Sequence, residues 1–377
     1  MTELAVIFDE LPTPDGGRIG IARLNSPKSL NALSLEMARQ LDAKLQAWAV
    51  DSSVVAVWLE GVGDRAFCAG GDVVALYRSI VEGEEHRTAA GDSRFDETYF
   101  TIEYQLDYRI HTYPKPILVW GNGIVMGGGM GLMVGASRRL VTETTLLAMP
   151  EVTIGLYPDI GASWFLNKMP RGIGAYLGLT GAQLNARDAL DLGLADHFVL
   201  SERRDELLDA LAGADYGSRR VEEVEACVQQ VVEAHEERNA APAARLWPWF
   251  DHVQQLVGQD NVIAAVERIL ADSQDDAWLA ANRARLKAGS PTSAHLVWQM
   301  LERHRRTSLA GVFRDELSLS VRCCRQGDIA EGVRALLIDK DKNPQWRHAD
   351  VASVPEAEVQ ELLTSLWSDT THPLYDL

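Results

Sequence analysis

Two glycine-rich loops constrain the fold of this chain more than any other part of its sequence. One is the stretch 66–72, Ala-Phe-Cys-Ala-Gly-Gly-Asp, and the other is the stretch 126–131, Met-Gly-Gly-Gly-Met-Gly. Each loop follows an apolar run typical of a buried strand and precedes a segment with a helical pattern. A strand that enters a glycine cluster and opens into a helix places bare backbone N–H groups at the positive end of that helix.

The segments around the two loops predict an α/β fold. Apolar runs bounded by turn residues indicate strands, and amphipathic patterns indicate helices. The predicted strands are 4–8, 18–24, 54–59 and 117–120, and the predicted helices are 34–50, 72–81 and 95–112. Alternation of strand and helix implies right-handed crossovers and a largely parallel sheet. Ligands bind at the carboxyl edge of such sheets, where both glycine loops are expected to open.

The character of the sequence changes after about residue 200. Helical patterns rich in Ala, Glu and Arg dominate from there, and Ser290 with Pro291 is typical of a helix start. We therefore predict two domains, an α/β domain at 1–200 and a mainly helical C-terminal region at 201–377. The stretch 82–94 is polar and is predicted to be a surface loop.

Composition and charge exclude several classes of partner. The net charge of −18 argues against nucleic acid and against an anionic membrane surface. No apolar run is long enough to span a bilayer. The four cysteines form no C-x-x-C pair, so neither a metal site nor a disulfide scaffold is indicated. The first residues carry no basic or Arg-rich leader, so we expect a cytoplasmic protein.

The glycine spacing does not match the common nucleotide-binding or hydrolase motifs. The sequence has no P-loop, no G-x-G-x-x-G, no G-x-S-x-G and no H-E-x-x-H. Two loops that present N–H groups to one point would form an oxyanion hole, in which each donor contributes about 2.7–4 kcal/mol of transition-state stabilisation. Alternatively, the glycines only permit tight turns and close packing. From either loop alone, both interpretations stay open.

Further motifs accompany the two loops in a fixed order. They are Arg23-Leu24-Asn25, Leu30-Asn31-Ala32-Leu33, Asn122-Gly123, Met149-Pro150-Glu151, Gly155 to Gly161, and Leu179 to Ala195. Together they resemble the crotonase (enoyl-CoA hydratase/isomerase) superfamily over about residues 4–200, and the resemblance returns at 290–292 and 329–337. The region of about 205–285 lacks a counterpart in the shorter hydratases and is interpreted as an insertion.

The resemblance implies a ββα spiral core that binds acyl-coenzyme A thioesters. Coenzyme A is then part of the substrate, and no separate cofactor or metal is expected. Members of the superfamily often form trimers or hexamers, so a homo-oligomer is a further expectation, although the helical insertion could cover such a surface.

The resemblance also assigns site residues. By position, the backbone N–H groups of Gly71 and Gly128 would hold the thioester oxygen. Hydratases carry two catalytic glutamates, of which Glu151 matches the second, whereas Gly131 replaces the first. Asp159 stands where hydratases usually have glycine. The other residues expected near the substrate are Gly70, Asp72, Gly127, Gly131, Lys28 and Arg65, with a solvated surface role equally open for Lys28 and Arg65.

The missing glutamate at 131 puts simple hydration in doubt. Gly131 combined with Glu151 and Asp159 is similar to the pattern of 3-hydroxyisobutyryl-CoA hydrolases, which implies hydrolysis of a short branched 3-hydroxyacyl-CoA in valine degradation. Glu151 would activate water or attack the carbonyl carbon. Asp159 would bind the 3-hydroxyl group or assist the departing thiol. Two alternatives stay open: a hydratase or isomerase that works with Glu151 alone, and a non-catalytic acyl-CoA-binding protein.

Overall fold

The structure, a computed structural model, describes residues 4–81, 94–258 and 261–377. These residues group into two units, each assembled from three segments of the chain. Unit 1 consists of the described residues of Met1–Gly71, Leu106–Leu147 and Leu184–Arg245, and unit 2 consists of those of Asp72–Gln105, Ala148–Gln183 and Leu246–Leu377. Each unit takes residues from both sides of position 200, and the domain boundary drawn there from sequence character stays a prediction. The predicted loop at 82–94 lies outside the described residues except for Arg94.

The regular elements are numbered in chain order. The strands are β1 (Val6–Pro12), β2 (Arg18–Leu24), β3 (Val54–Gly61), β4 (Ala66–Cys68), β5 (Ile117–Gly121), β6 (Ile124–Met126), β7 (Arg138–Val141), β8 (Leu146–Ala148), β9 (Leu184–Asn185) and β10 (His197–Phe198). The α-helices are α1 (Leu35–Val50), α2 (Val73–Val81), α3 (Phe95–His111), α4 (Gly128–Val134), α5 (Ala162–Phe165), α6 (Ile173–Thr180), α7 (Ala186–Asp191), α8 (Arg204–Gly213), α9 (Val221–His235), α10 (Phe250–Val257), α11 (Val262–Ala271), α12 (Ala277–Ala288), α13 (Pro291–Arg303), α14 (Leu309–Gln326), α15 (Ile329–Val333) and α16 (Glu356–Leu362). In the described residues, no helix combines the length and the apolar character needed to cross a membrane.

Two β-sheets form the framework of unit 1. The larger sheet has the strand order β1-β2-β3-β5-β7-β10, and the smaller sheet has the order β4-β6-β8-β9. In the larger sheet β1 and β2 are antiparallel, with Val6 opposite Leu24, and the other described neighbours run parallel. The predicted parallel sheet is therefore confirmed. Strand β1 starts two residues later than predicted and continues to Pro12, because its pairing extends to Arg18 at the hairpin end.

Helices on the larger sheet bury the core of unit 1. Apolar side chains of β2, β3, β5 and β7 pack with those of α8 and α9, including Trp58, Trp120, Leu211 and Val228. Residues 205–235 of the predicted insertion therefore complete this core instead of forming a separate appendage. The predicted helix at 34–50 is present as α1, which buries the apolar face Met37, Leu41, Leu45 and Trp48. The Ser34 side chain caps this helix by accepting a hydrogen bond from the Met37 N–H group.

Unit 2 is almost entirely helical. Its longest helix is α14, which has buried residues along most of its length. Ser290 caps α13 through the Ser293 N–H group, and Pro291 is the first helical residue, as the sequence predicts. The segment 329–337, where the family resemblance returns, forms α15 and continues into a π-helical turn at Arg334–Ile338.

Candidate active site

The two glycine loops lie side by side in unit 1. Strands β4 and β6 run parallel, with Cys68 opposite Val125, so both loops leave the same edge of the smaller sheet. A Cβ atom on Gly129 would lie 2.2 Å from the carbonyl oxygen of Cys68, so only glycine lets α4 approach the first loop this closely. One expectation is corrected: the second loop follows β6 of the smaller sheet, because the chain leaves the larger sheet after Gly121.

Glycines with unusual backbone angles shape both loops. Gly70 has a φ of +118°, and its carbonyl accepts a 2.8 Å hydrogen bond from the Leu33 N–H group. Gly127, with a φ of +48°, precedes the first residue of α4, and its carbonyl accepts a 2.7 Å bond from Met130. Gly128 is that first residue, where backbone N–H groups have no partner within the helix. Both loops therefore have backbone conformations suited to presenting N–H groups as hydrogen-bond donors. The oxyanion hole itself stays a prediction.

Gly131 lies against a buried acidic side chain. A Cβ atom at position 131 would lie 2.7 Å from Oδ2 and 2.9 Å from Oδ1 of Asp107, which is fully buried on α3. One helical turn further, a Cβ atom on Gly135 would lie 2.8 Å from the His111 ring. Any side chain at 131 would therefore require the Asp107 carboxyl group to shift.

Glu151 occupies a tight turn of unit 2. It begins the 3-10 helix Glu151–Ile154, which ends at Gly155 with a φ of +75°. The side chain is buried, and among the described residues its Oε2 atom has no hydrogen-bond partner. Burial raises the pKa of Glu151 well above 4.5, and the charges of Asp159 and Glu103 raise it further. Such a carboxyl group has the properties expected of an acid–base catalyst.

Asp159 is a second buried acid of unit 2. Its Oδ2 atom accepts a 2.6 Å hydrogen bond from the Tyr104 hydroxyl group. Burial raises the pKa of Asp159 to about 6, and the bond from Tyr104 opposes that rise. Burial and the charge of Asp159 also raise the pKa of Glu103. The titratable groups whose pKa responds to Asp159 are Glu103, Tyr104, Glu151, Tyr157, Glu316, Cys323 and Cys324.

Sequence reasoning missed the acids and the hydroxyl group that α3 contributes. Glu103, Tyr104 and Asp107 were not predicted as site residues. Their signal is the spacing of four along one helix, in which Tyr99, Glu103, Asp107 and His111 share a face. Polar residues that recur at this spacing in a helix with buried apolar neighbours indicate a polar site on its inner face.

Three further residues are expected near the substrate: Asp72, Arg65 and Lys28. Asp72 accepts a 3.0 Å hydrogen bond from the Ala75 N–H group and so caps α2. Arg65 is exposed, and its carbonyl accepts a 3.1 Å bond from Ile124, which joins the starts of β4 and β6. Lys28 is exposed on the short 3-10 turn Pro27–Ser29. Contact of these three residues with coenzyme A stays a prediction.

Comparison with known proteins identifies the family. The sequence profile described as Enoyl-CoA hydratase/isomerase matches residues 19–363. This chain belongs to the enoyl-CoA hydratase/isomerase family. Similar curated members of the family include "3-hydroxyisobutyryl-CoA hydrolase, mitochondrial" of Danio rerio, 38% identical over 96% of this chain and 90% of the relative. The human protein of the same name is 34% identical over 93% and 88%. "3-hydroxyisobutyryl-CoA hydrolase 1" of Arabidopsis thaliana is 36% identical over 91% and 88%.

Solved structures of the family have the same fold. An enoyl-CoA hydratase from Rhodobacter sphaeroides superposes with a TM-score of 0.81 at 34% identity, covering 96% of this chain and 98% of that structure. A carnitinyl-CoA dehydratase from Mycobacterium thermoresistibile superposes with a TM-score of 0.83 at 31% identity, covering 99% of each chain. The predicted α/β crotonase fold with a helical C-terminal region is therefore confirmed.

The predicted cytoplasmic location is wrong. The vertebrate family members from Danio rerio, Xenopus tropicalis, Gallus gallus and Homo sapiens are named mitochondrial. These names point to the mitochondrion instead of the cytoplasm. The prediction failed because it depended on the composition of a few N-terminal residues, whereas targeting segments are independent of the folded domain.

Proposed function

We propose that this protein hydrolyses 3-hydroxyisobutyryl-CoA to 3-hydroxyisobutyrate and free coenzyme A, a step of valine degradation. The observation that carries the proposal is the similarity to family members named for this reaction, which extends over 91–96% of the chain. An acyl-CoA substrate is also what the family leads us to expect. Coenzyme A enters as part of the substrate, so the proposal needs no further cofactor.

The backbone donors have the first role in the proposed reaction. The N–H groups of Gly71 and Gly128 hold the thioester oxygen and stabilise the negative charge that develops on it in the tetrahedral intermediate. The N-terminal end of α4 adds its positive dipole behind that oxygen. Gly70 and Gly127 give the two loops their backbone conformation, and Lys28, Arg65 and Asp72 are proposed to lie near the coenzyme.

Glu151 is the proposed base. In its ionised form it takes a proton from water while the water oxygen bonds to the thioester carbon. The C–S bond then breaks, and the departing thiolate receives a proton from a neighbouring acid, a role that suits Asp159. Attack by the Glu151 carboxylate itself, through an anhydride that water then opens, uses the same residues. Incorporation of labelled solvent oxygen into Glu151 during one turnover would distinguish the two routes.

Hydration of an enoyl-CoA is the second candidate function. It is favoured by the two solved structures of similar fold, which are named as a hydratase and a dehydratase. Against it stands position 131, where glycine replaces the first of the two catalytic glutamates of the hydratases. Because hydration in this family uses two glutamates, thioester hydrolysis is the better-supported reaction. Assembly into trimers or hexamers stays a prediction from the family resemblance.

The products of two assays separate the candidates. With 3-hydroxyisobutyryl-CoA we expect release of free thiol, followed with a thiol reagent. With an enoyl-CoA we expect no loss of the absorbance of the conjugated double bond. Loss of that absorbance without thiol release would refute the hydrolase proposal and support the hydratase. Binding of acyl-CoA with no turnover in either assay would support a non-catalytic binding protein.

A further inference from the structure

The loop that carries Asp159 has a strained backbone. Ile160 and Gly161 follow Asp159 with φ values of +57° and +80°. Glycine adopts this left-handed conformation freely, but a β-branched residue such as isoleucine rarely does. A strained residue persists only where its surroundings hold it in place, and such positions cluster at functional sites.

Glu316 of α14 holds the backbone of the loop. Its Oε2 atom accepts a 2.6 Å hydrogen bond from the Gly161 N–H group. Its Oε1 atom accepts a 2.7 Å bond from the Ser163 hydroxyl group and a 3.3 Å bond from the Ser163 N–H group. Glu316 is fully buried. Three donors converge on this one carboxyl group, and all of them belong to the segment directly after Asp159.

Ser320 lies one turn further along α14 and reaches the side chain of Asp159 through a tyrosine. Its Oγ atom is 2.7 Å from the Tyr104 hydroxyl oxygen and 2.9 Å from the Tyr157 hydroxyl oxygen. Because Tyr104 donates its proton to Asp159, Ser320 donates to the Tyr104 oxygen, and Tyr157 is left to donate to Ser320 or to the Glu316 carbonyl. The side chains of this network, Tyr104, Tyr157, Asp159 and Ser320, are all buried.

We propose that Glu316 and Ser320 are positioning residues that together fix Asp159, Glu316 through the loop backbone and Ser320 through the Tyr104 hydroxyl group. The inference rests on the proposed function, in which Asp159 serves the reaction. None of the site residues predicted from the sequence lies on α14. The inference therefore adds this helix, which lies far along the chain, to the residues that serve the reaction. In this arrangement α14 determines both the orientation of the Asp159 carboxyl group and its proton affinity.

A serine, a histidine and an aspartate form a hydrogen-bonded series next to Glu316 and help to hold it in place. The Ser163 hydroxyl oxygen is 2.8 Å from His304 Nδ1, and His304 Nε2 is 3.0 Å from Asp315 Oδ2. A nucleophilic serine must be reachable by substrate, whereas Ser163 is 2% exposed and already donates to Glu316. The three residues therefore brace the position of Glu316 and do not form a second hydrolytic site.

The first test replaces Glu316 with glutamine. Glu316→Gln keeps the size of the side chain but places an NH₂ donor against donors of the loop, so the loop is expected to move. A displacement of about 1 Å can cost on the order of 100-fold in rate, so we expect kcat to fall by that amount while KM stays close to the wild-type value. Ser320→Ala, which leaves the backbone contacts intact, is expected to lower kcat less.

The second readout needs no substrate. Titration of the Asp159 carboxyl carbon by NMR should give a pKa of about 6 in the wild-type protein. Release of the loop exposes Asp159 to water, so Glu316→Gln should lower that pKa toward the ordinary aspartate value of about 4. Because this readout is independent of turnover, absence of thiol release by the wild-type protein would refute the proposed function without affecting the positioning test.

The matched control is Asp272→Asn. Asp272 is also a buried carboxylate of unit 2, and it accepts hydrogen bonds from His252 and Arg283 at 3.1 Å each, away from the Asp159 loop. This variant should lower the melting temperature but leave kcat and the Asp159 pKa unchanged. The proposal is overturned if Glu316→Gln behaves like this control. Should Glu316→Gln fail to fold, Glu316→Asp retains the carboxyl group and permits the same two measurements. For this variant we expect a smaller shift of the Asp159 pKa, and an unshifted pKa would refute the proposal.

Discussion

The glycine loops of unit 1 and the acidic turns of unit 2 provide two different kinds of chemistry. The loops offer backbone groups, and their geometry is fixed by glycine conformations and by the approach of Gly129 to Cys68. The turns offer the side chains of Glu151 and Asp159, whose pKa values depend on burial and on neighbouring acids. Backbone donors have no pKa near neutrality, whereas each buried acid depends on the groups around it.

This difference determines how each region responds to mutation. A substitution in the loops displaces their backbone N–H groups, so it should change kcat by the same factor at every pH. A change near the acids alters proton affinity, so its effect should depend on pH. Measurements of kcat across the pH range can therefore distinguish the two regions.

Replacement of Glu151 should have the largest effect. Glu151→Gln preserves the size of the side chain but removes the proposed base, so kcat should fall by roughly 10²–10⁴-fold. The folded state should lose little stability, because an uncharged amide is easier to bury than a carboxylate. Thiol release and thermal unfolding measure the two quantities. Near-wild-type kcat in a folded variant would show that Glu151 is not the base.

The glycine loops should respond through their shape. In Gly129→Ala the new Cβ atom would lie 2.2 Å from the Cys68 carbonyl oxygen, so α4 must move away from the first loop. We expect a loss of about 1–3 kcal/mol in unfolding free energy. We also expect kcat to fall on the order of 100-fold through displaced N–H donors. The ratio of variant to wild-type kcat should be constant with pH.

Gly213→Ala is the control for that glycine substitution. Gly213 ends α8 in unit 1. Apart from its own neighbours along the helix, no heavy atom of the described residues lies within 4 Å of a Cβ atom added there. Its unfolding free energy should change by less than about 0.5 kcal/mol, with no change in kcat. If Gly129→Ala, like this control, leaves kcat unchanged, close packing of α4 against the first loop does not matter for catalysis.

The sequence predicted the parts of the fold that local patterns determine. The helix α1 and the largely parallel direction of the larger sheet follow from apolar spacing and from strand–helix alternation. The smaller sheet was missed because strands such as β4 and β6 have only three residues, too few to show periodicity. The grouping of residues into two units depends on long-range packing, which no local pattern contains.

The candidate site could be predicted only where a motif is contiguous. Glu151, Asp159 and the two loops lie within short stretches that resemble one superfamily, so position alone assigned them. The support of Asp159 joins Tyr104 to residues 55 and 216 positions away in the chain. Such contacts form only when the chain folds, and a single sequence gives no sign of which hydroxyl group reaches which acid.

The smallest effect is expected at Tyr104, where the contrast between the two regions is sharpest. The Tyr104 hydroxyl group stabilises the ionised form of Asp159, so Tyr104→Phe should raise the Asp159 pKa above about 6. Loss of one hydrogen bond to a charged group corresponds to roughly one pKa unit. Because Asp159 is proposed to protonate the departing thiolate, its protonated form is the active one. Relative to the wild type, kcat at pH values below the Asp159 pKa should hardly change, whereas kcat at higher pH should rise by up to about tenfold.

The stability of the Tyr104→Phe variant should depend on pH in the matching direction. An acid whose pKa is raised by folding stabilises the protein fully below its unfolded-state pKa, and this contribution is lost as the pH rises through the folded-state pKa. A higher Asp159 pKa therefore moves that loss to higher pH, which melting curves recorded across the pH range can detect. An unshifted rate profile, or a pH-dependent kcat ratio for Gly129→Ala, would remove the distinction between a region that acts by shape and a region that acts by proton affinity.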